Sequence, residues 1–398
     1  MNPNIQNLFT IAQKQERHII GLMSGTSMDG LDVALCRISG SGGDTKVTLE
    51  RFETCTFEEA VKDKIRQVFA KKQIDFQHLC LLNEWIGVLH GQLVLDCLKK
   101  WNITPSDIDI VASHGQTVFH APKSQHQIEG FGNATLQIGD GDHVAVTTGI
   151  VTVSDFRQKH VATGEEGAPL AVYGDFFVFS SKQENRIMLN MGGIANFTYL
   201  PSSLDASKVF TTDTGTGNTL IDACMRQFYN KPFDENAQVA MSGRVNQSLL
   251  AALKDNPFFE LPFPKTTGPE LFGMEYLQIA QQKSQTTHLT APDLMATLTQ
   301  FSAETIAEAI LKVCNPSDQY SLYMSGGGMH NPLLVSTLQS LLPKFKFQKT
   351  DDLGISGDAK EAVLFAILAN EALVGGKSNF GNRQGVPSVS MGKVSFPK

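Results

Sequence analysis

The sequence has no dense basic run. Its 33 Lys and Arg residues gather no further than pairs such as Lys71-Lys72 and Lys99-Lys100, against 40 Asp and Glu, for a formal net charge of −7. That leaves no electrostatic footprint for a polyanion, so nucleic acid is not expected as a partner. Six cysteines (Cys36, Cys55, Cys80, Cys97, Cys224 and Cys314) are scattered without a CxxC pair. Zinc-site spacing and a dense disulfide framework are therefore both missing, and buried free thiols are the plain reading. No stretch approaches the roughly 20 apolar residues that a membrane-spanning helix needs. The segment before His18 is broken by Gln, Asn, Lys and Arg, unlike the apolar core of a secretory signal. A cytoplasmic protein without a membrane partner is expected. GxxxxGK[ST] is absent, as is a GxGxxG opening a helix after a strand, which disfavours P-loop and Rossmann sites.

What is present is a chain of 398 residues, 41% hydrophobic and 18% charged, the balance of a globular protein. Its length exceeds what one core usually organises, so two domains are expected, with a cleft available between them. Strand-like runs alternate with helix-period segments, the pattern of a layered α/β protein. Runs at 18–23 and 31–38 predict a hairpin around Ser24-Gly25-Thr26-Ser27-Met28-Asp29-Gly30. A second one is predicted from 187–190 and 194–200 around Met191-Gly192-Gly193, which suggests an internal duplication. Leu82, Trp85, Leu89 and Leu93 fall at helical spacing and predict one face packed on a sheet. A buried strand at 108–112 is predicted to end in the polar loop Ser113-His114-Gly115-Gln116-Thr117. Leu294, Leu298, Phe301, Ile306, Ile310 and Val313 mark a long helix before a strand at 321–324 and the turn Gly326-Gly327-Gly328. The apolar helix at 358–373 belongs against a sheet or between domains.

Phosphoryl transfer needs triphosphate oxygens held by backbone N–H groups and cations. Gly25, Thr26, Ser27, Met28, Asp29, Gly30, Leu31 and Asp32 offer open amides, two hydroxyls and two carboxylates suited to a water-bridged Mg2+. An ordinary tight turn explains the same residues. Asp213-Thr214-Gly215-Thr216-Gly217-Asn218 and Gly326-Gly327-Gly328 each precede a helix, and helix capping alone accounts for either. Taken together, the four glycine-bearing segments fit a nucleotide cradle of the actin-like type. His114 and His120 are spaced across a loop without a carboxylate cluster, which speaks against a metal pair.

The ordered motifs go further. Met23 to Asp32 is followed by His114-Gly115-Gln116-Thr117, Leu136-Gln137-Ile138-Gly139-Asp140, Asp155-Phe156-Arg157, Gly167-Ala168-Pro169-Leu170 and Leu189 to Asn196. Pro264-Lys265-Thr266-Thr267-Gly268, Gly326-Gly327-Gly328 with Asn331-Pro332-Leu333-Leu334, and Gly354-Ile355-Ser356-Gly357-Asp358 with Glu361 complete the series. Across 19–375 the chain resembles the anhydro-N-acetylmuramic acid kinases.

The resemblance implies a two-domain actin-like ATPase fold of duplicated ribonuclease H-like lobes. The lobes are drawn at 1–150, with a tail at 373–398 returning to the first, and at 151–372. It also implies a reaction in which ATP and water convert 1,6-anhydro-N-acetylmuramic acid into N-acetylmuramic acid 6-phosphate during cell-wall recycling. Asp213 aligns with the general base that activates water, and a helix N-cap is its plainer alternative. Segment 25–32, Gly192, Gly193, Gly326, Gly327 and Gly328 align with the ATP site, and Asp29 is assigned to Mg2+. His114, Gln116, Arg157, Asn218 and Glu361 are assigned to the amino sugar. Arg157 is equally read as a structural ion pair, and Glu361 as a solvated helix residue. A homodimer is compatible with this picture.

Three positions depart from the family pattern: Gly164-Glu165-Glu166-Gly167 where Gly-Gly-Gln-Gly is expected, Thr216 in place of Pro, and Pro269 in place of Arg. They leave two alternatives open, an actin-like ATP-binding module without sugar chemistry and a kinase for a different amino sugar.

Overall fold

The computed structural model describes residues 1–398 except Ser27, Pro169, Pro269, Lys377 and 382–384. Chain contacts gather these residues into two compact units, 1–179 with 205–207 and 354–398, and 180–204 with 208–353.

In the first unit, β1 (Glu16–Ser24), β2 (Gly30–Ser39) and β3 (Lys46–Thr56) form an antiparallel meander. β4 (Ile110–Ala121) runs parallel to β1, β5 (Ala134–Ile138) pairs antiparallel with the outer part of β4, and β6 (Thr152–Ser154) is parallel to β4. β12 (Lys393–Ser395) closes the edge against β6. Successive residues of β1 are buried because helices cover both faces of the strand. Ile20 and Leu22 enter a core with Leu82, Ile86 and Val94 of helix Phe76–Trp101. Gly21, on the other face, meets helix Lys360–Val374. A Cβ at Gly21 would lie 1.9 Å from the Ala362 carbonyl oxygen, so only glycine lets that helix rest directly on the strand.

The second unit repeats the plan. β7 (Asn185–Met191), β8 (Ile194–Leu200) and β9 (Phe210–Thr216) form a meander; β10 (Tyr320–Ser325) is parallel to β7, and β11 (Phe345–Lys349) to β10. The order β9-β8-β7-β10-β11 mirrors β3-β2-β1-β4-β6. In each unit a long helix, Phe76–Trp101 or Ala291–Val313, immediately precedes the strand that returns parallel to the first. This is the duplicated α/β architecture of the actin-like fold. The Ala291–Val313 helix starts where the Thr290 side chain accepts from the Asp293 N–H and Pro292 presets the first turn.

The strands of both hairpins and the long helices fall where the hydrophobic pattern predicts them. Three particulars differ. Ser113 to Thr117 is not a loop: β4 continues through it to Ala121, changing partner from β1 and β6 to β5 around Gly115, whose φ is +77°. Buried strand partners satisfy its polar backbone, and composition alone suggested exposure. Trp85 lies on the exposed side of its helix beneath the Lys64 ammonium, because the buried stripe runs through Leu82, Ile86, Val94 and Leu98. Segments 151–179 and 354–372, which the sequence reading set in the second lobe, group with the first unit: β6 joins its sheet and helix Lys360–Val374 packs on β1.

Replacing Gly21 with valine forces the 360–374 helix off β1 and is expected to destabilise the protein by about 3 kcal/mol or more. Urea unfolding of the variant beside the parent measures this, and an unchanged midpoint would contradict the close approach.

Candidate active site

In the first unit the β1–β2 turn carries Gly25, Thr26, Met28 and Asp29, while Gly30, Leu31 and Asp32 already belong to β2. Ser27 lies outside the described residues. Strand alternation turns Leu31 fully into the core, so its side chain is not available to a ligand. Met28 takes a left-handed conformation (φ 58°) that closes the turn, with its N–H donating to the Gly25 carbonyl. The Asp32 carboxylate accepts from the Thr54 hydroxyl at 2.6 Å. Burial pushes its pKa up, Thr54 opposes the shift, and Asp358 adds to it.

Gln116 and His114 are spent inside the protein. The fully buried Gln116 amide accepts from the Ser24 hydroxyl at 2.6 Å and donates to the carbonyls of Gly25 and Thr117, each at 3.1 Å. It therefore braces the turn. His114, whose pKa burial and the nearby Arg157 drive far down, is neutral: Nδ1–H donates to the Gly115 carbonyl, and Nε2 accepts from Arg157 Nε at 2.8 Å. The ring packs 4.6 Å from that of Phe365. The sequence reading gave both residues to the sugar; both instead hold parts of the site in place.

Arg157 also donates to the Gly167 carbonyl at 2.7 Å. Together with Lys360 and Glu361 it lines a recess of about 180 Å³. Lys360 pairs with Asp175 at 2.7 Å. The Glu361 carboxyl remains open to solvent, yet crowding protein raises its pKa, the Arg157 guanidinium lowers it, and Asp32 raises it again. Such a carboxyl beside fixed cations suits hydrogen bonding to a polar substrate. The acids at the departing positions are tied down: Glu165 accepts from the Gly385 N–H, and Glu166 from the Ser124 hydroxyl.

In the second unit three of the glycine-bearing segments converge. The Asn218 amide donates to the carbonyls of Met191 and Gly192 at 3.1 and 3.0 Å, and the N–H groups of Gly217 and Asn218 bond to Gly193 and Gly192. A Cβ at Gly326 would lie 2.6 Å from the Asn190 side chain, so this turn also closes onto the β7–β8 tip. Asn218 is thereby a brace of the hairpin. Gly192 and Gly193 remain at the tip with partly open surfaces. Beside them Asn218, Asp222, Asn236, Gly327 and His330 line a recess of about 370 Å³.

Asp213 sits inside β9, so it is not the N-cap of helix Thr219–Tyr229; Asn218 occupies that position. One carboxylate oxygen accepts from the Thr267 N–H at 2.8 Å, and among the described residues the other has no hydrogen-bond partner. Burial raises its pKa, the Thr267 bond lowers it, and Glu270 raises it. A half-tethered carboxylate with a raised pKa is equipped to take a proton. Pro269 lies outside the described residues. Among those residues no cluster of three or more His, Cys, Asp or Glu could hold a metal by itself.

The family model described as anhydro-N-acetylmuramic acid kinase matches residues 17–397. The chain belongs to this kinase family. A relative from Pseudoalteromonas atlantica, named anhydro-N-acetylmuramic acid kinase, is 57% identical over the whole of both chains. One of the same name from Caldanaerobacter subterraneus subsp. tengcongensis is 38% identical over 98% of this chain and all of its own. Among solved structures, a dehydratase activator from Clostridium difficile with bound ADPNP covers 89% of this chain and 95% of its own at 11% identity, with a TM-score of 0.39. Asp222, Asn236 and His330, which line the recess beside Gly327, are not among the residues the sequence singles out; of these, the left-handed Asn236 has a local signature, since asparagine tolerates positive φ.

Asn218→Ala removes two hydrogen bonds from the hairpin tip, each contributing about 1 kcal/mol, and is expected to raise the KM for ATP by up to roughly thirtyfold. Steady-state kinetics at varied ATP checks this; an unaltered KM would mean that the tip does not bear on nucleotide.

Proposed function

We propose that this chain uses ATP to open and phosphorylate 1,6-anhydro-N-acetylmuramic acid, yielding N-acetylmuramic acid 6-phosphate and ADP. The observation that carries the reading is Asp213: a strand-held carboxylate, bonded at one oxygen by a backbone N–H, with no partner for the other among the described residues, and with a raised pKa. That is the equipment of a general base. Water loses its proton to Asp213 as its oxygen bonds to the anomeric carbon. The bond from that carbon to the 6-oxygen breaks, and the freed oxygen takes the γ-phosphoryl group. Arg157, fixed by His114 and the Gly167 carbonyl, supplies a rigid cation for the substrate's lactyl carboxylate. Glu361 is assigned to a sugar hydroxyl.

The nucleoside end of ATP is assigned to the recess beside Gly327, and the phosphates to the open amides of the glycine turns. A nucleotide-borne Mg2+ would keep several waters and need only one or two protein carboxylates; Asp29 and Asp32 on the β1–β2 hairpin would supply them, and the ion would offset the phosphate charge. The chemistry is that of a cytoplasmic recycling enzyme, and no helix among the described residues is long and apolar enough to cross a membrane.

Asp213→Asn is expected to lower kcat by about a hundredfold or more. Because Asp213 must be ionised and its pKa lies above the ordinary value, activity should climb with pH through a limb displaced upward from a free aspartate. Full turnover by Asp213→Asn, in an assay of ADP release with the anhydro sugar, would sink the assignment.

A further inference from the structure

We infer that Lys265 is a positioning residue for Asp213: its ammonium, sealed among phenylalanine rings, anchors the backbone from which that carboxylate is held. Lysine is rarely buried without an ionic partner. Lys265 is only 7% exposed, and among the described residues it forms no ion pair. Instead Nζ donates to the Phe258 carbonyl at 2.8 Å and stands 4.3, 5.2 and 5.9 Å from the ring centroids of Phe258, Phe263 and Phe259. Ring faces attract a cation, so the aromatic wall compensates part of the lost hydration. Burial lowers the lysine's pKa, Lys312 acts in the same direction, and Glu260 opposes it.

The same residue is stitched to β9. Its N–H donates to the Thr212 hydroxyl at 3.0 Å, and its carbonyl accepts from the Asp213 N–H at 2.9 Å. Two residues on, the Thr267 N–H reaches Asp213 Oδ2 at 2.8 Å. Segment 261–268 has no helix or strand of its own to set its path. The side chain of Lys265 supplies a fixed point close to the donor. A lysine placed only for core packing would leave Asp213 indifferent to its loss.

The catalytic consequence rests on Asp213 being the base; the structural one does not, and the test separates them. The titration of Asp213 is followed directly by carbon-13 NMR of aspartate-labelled protein, with Asp213→Asn assigning the resonance. Lys265→Met loosens the Thr267 donor, which favours the ionised carboxylate, so the Asp213 midpoint should rise by about 0.5 to 1 pH unit. The acid limb of kcat/KM should move with it, kcat should fall roughly tenfold with KM for sugar and ATP held within about twofold, and Lys265→Arg should recover part of the loss. Thr267→Pro, which removes the donor itself, should reproduce the shift, with no further change on adding Lys265→Met. If Lys265→Met does not fold, Phe258→Leu thins the ring wall and is read the same way. An Asp213 midpoint unmoved by the folded Lys265 or Phe258 variant overturns the inference. A raised midpoint alongside an Asp213→Asn protein that retains turnover upholds it and removes the base assignment instead.

Discussion

Hairpin tips leave carbonyls without strand partners, and in each unit the candidate residues are organised around satisfying them. At the β7–β8 tip this falls to Asn218, whose amide donates to the Met191 and Gly192 carbonyls while backbone N–H groups of the same segment take up Gly192 and Gly193. Gln116 performs the matching service at the β1–β2 turn, where it donates to the Gly25 carbonyl. Each unit thus uses one side-chain amide to fix a glycine-bearing turn. Glycine is required around the second tip because neighbouring backbone comes so close: a Cβ at Gly217 would lie 2.4 Å from the Gly192 carbonyl oxygen.

Around these braces the polar side chains divide by task. His114 stays neutral and directs Arg157, which is held by two acceptors; burial lowers the Arg157 pKa and the nearby Glu361 opposes that shift. Asp213 is different: among the described residues one of its two oxygens has a hydrogen-bond partner, the Thr267 N–H. Fixed neighbours limit the reorganisation a reaction would demand, which is how such sites gain rate without new covalent chemistry.

Much of the fold was readable from the chain. Both hairpins, the Ala291–Val313 helix and the strand after it follow from hydrophobic period and glycine placement. The segment Ser113 to Thr117 was not, since its polar composition resembles a loop while its backbone is paired within β4. Nor was the course of 151–179, because strand pairing across long sequence separations leaves no local trace.

For the site, the ordered motifs and the family resemblance they carry brought forward Asp213, Arg157, Glu361 and the glycine turns as candidates; residue type alone left Asp213 as a helix cap and Glu361 as a solvated helix residue. Tertiary structure alone decided which of these side chains are spent holding others in place. His114, Gln116 and Asn218 are braces because hydrogen-bond partners are a matter of three-dimensional proximity. Asp213 lies in a strand, out of reach of the helix-cap role its neighbours suggested, because β9 runs through it to Thr216 before the helix begins.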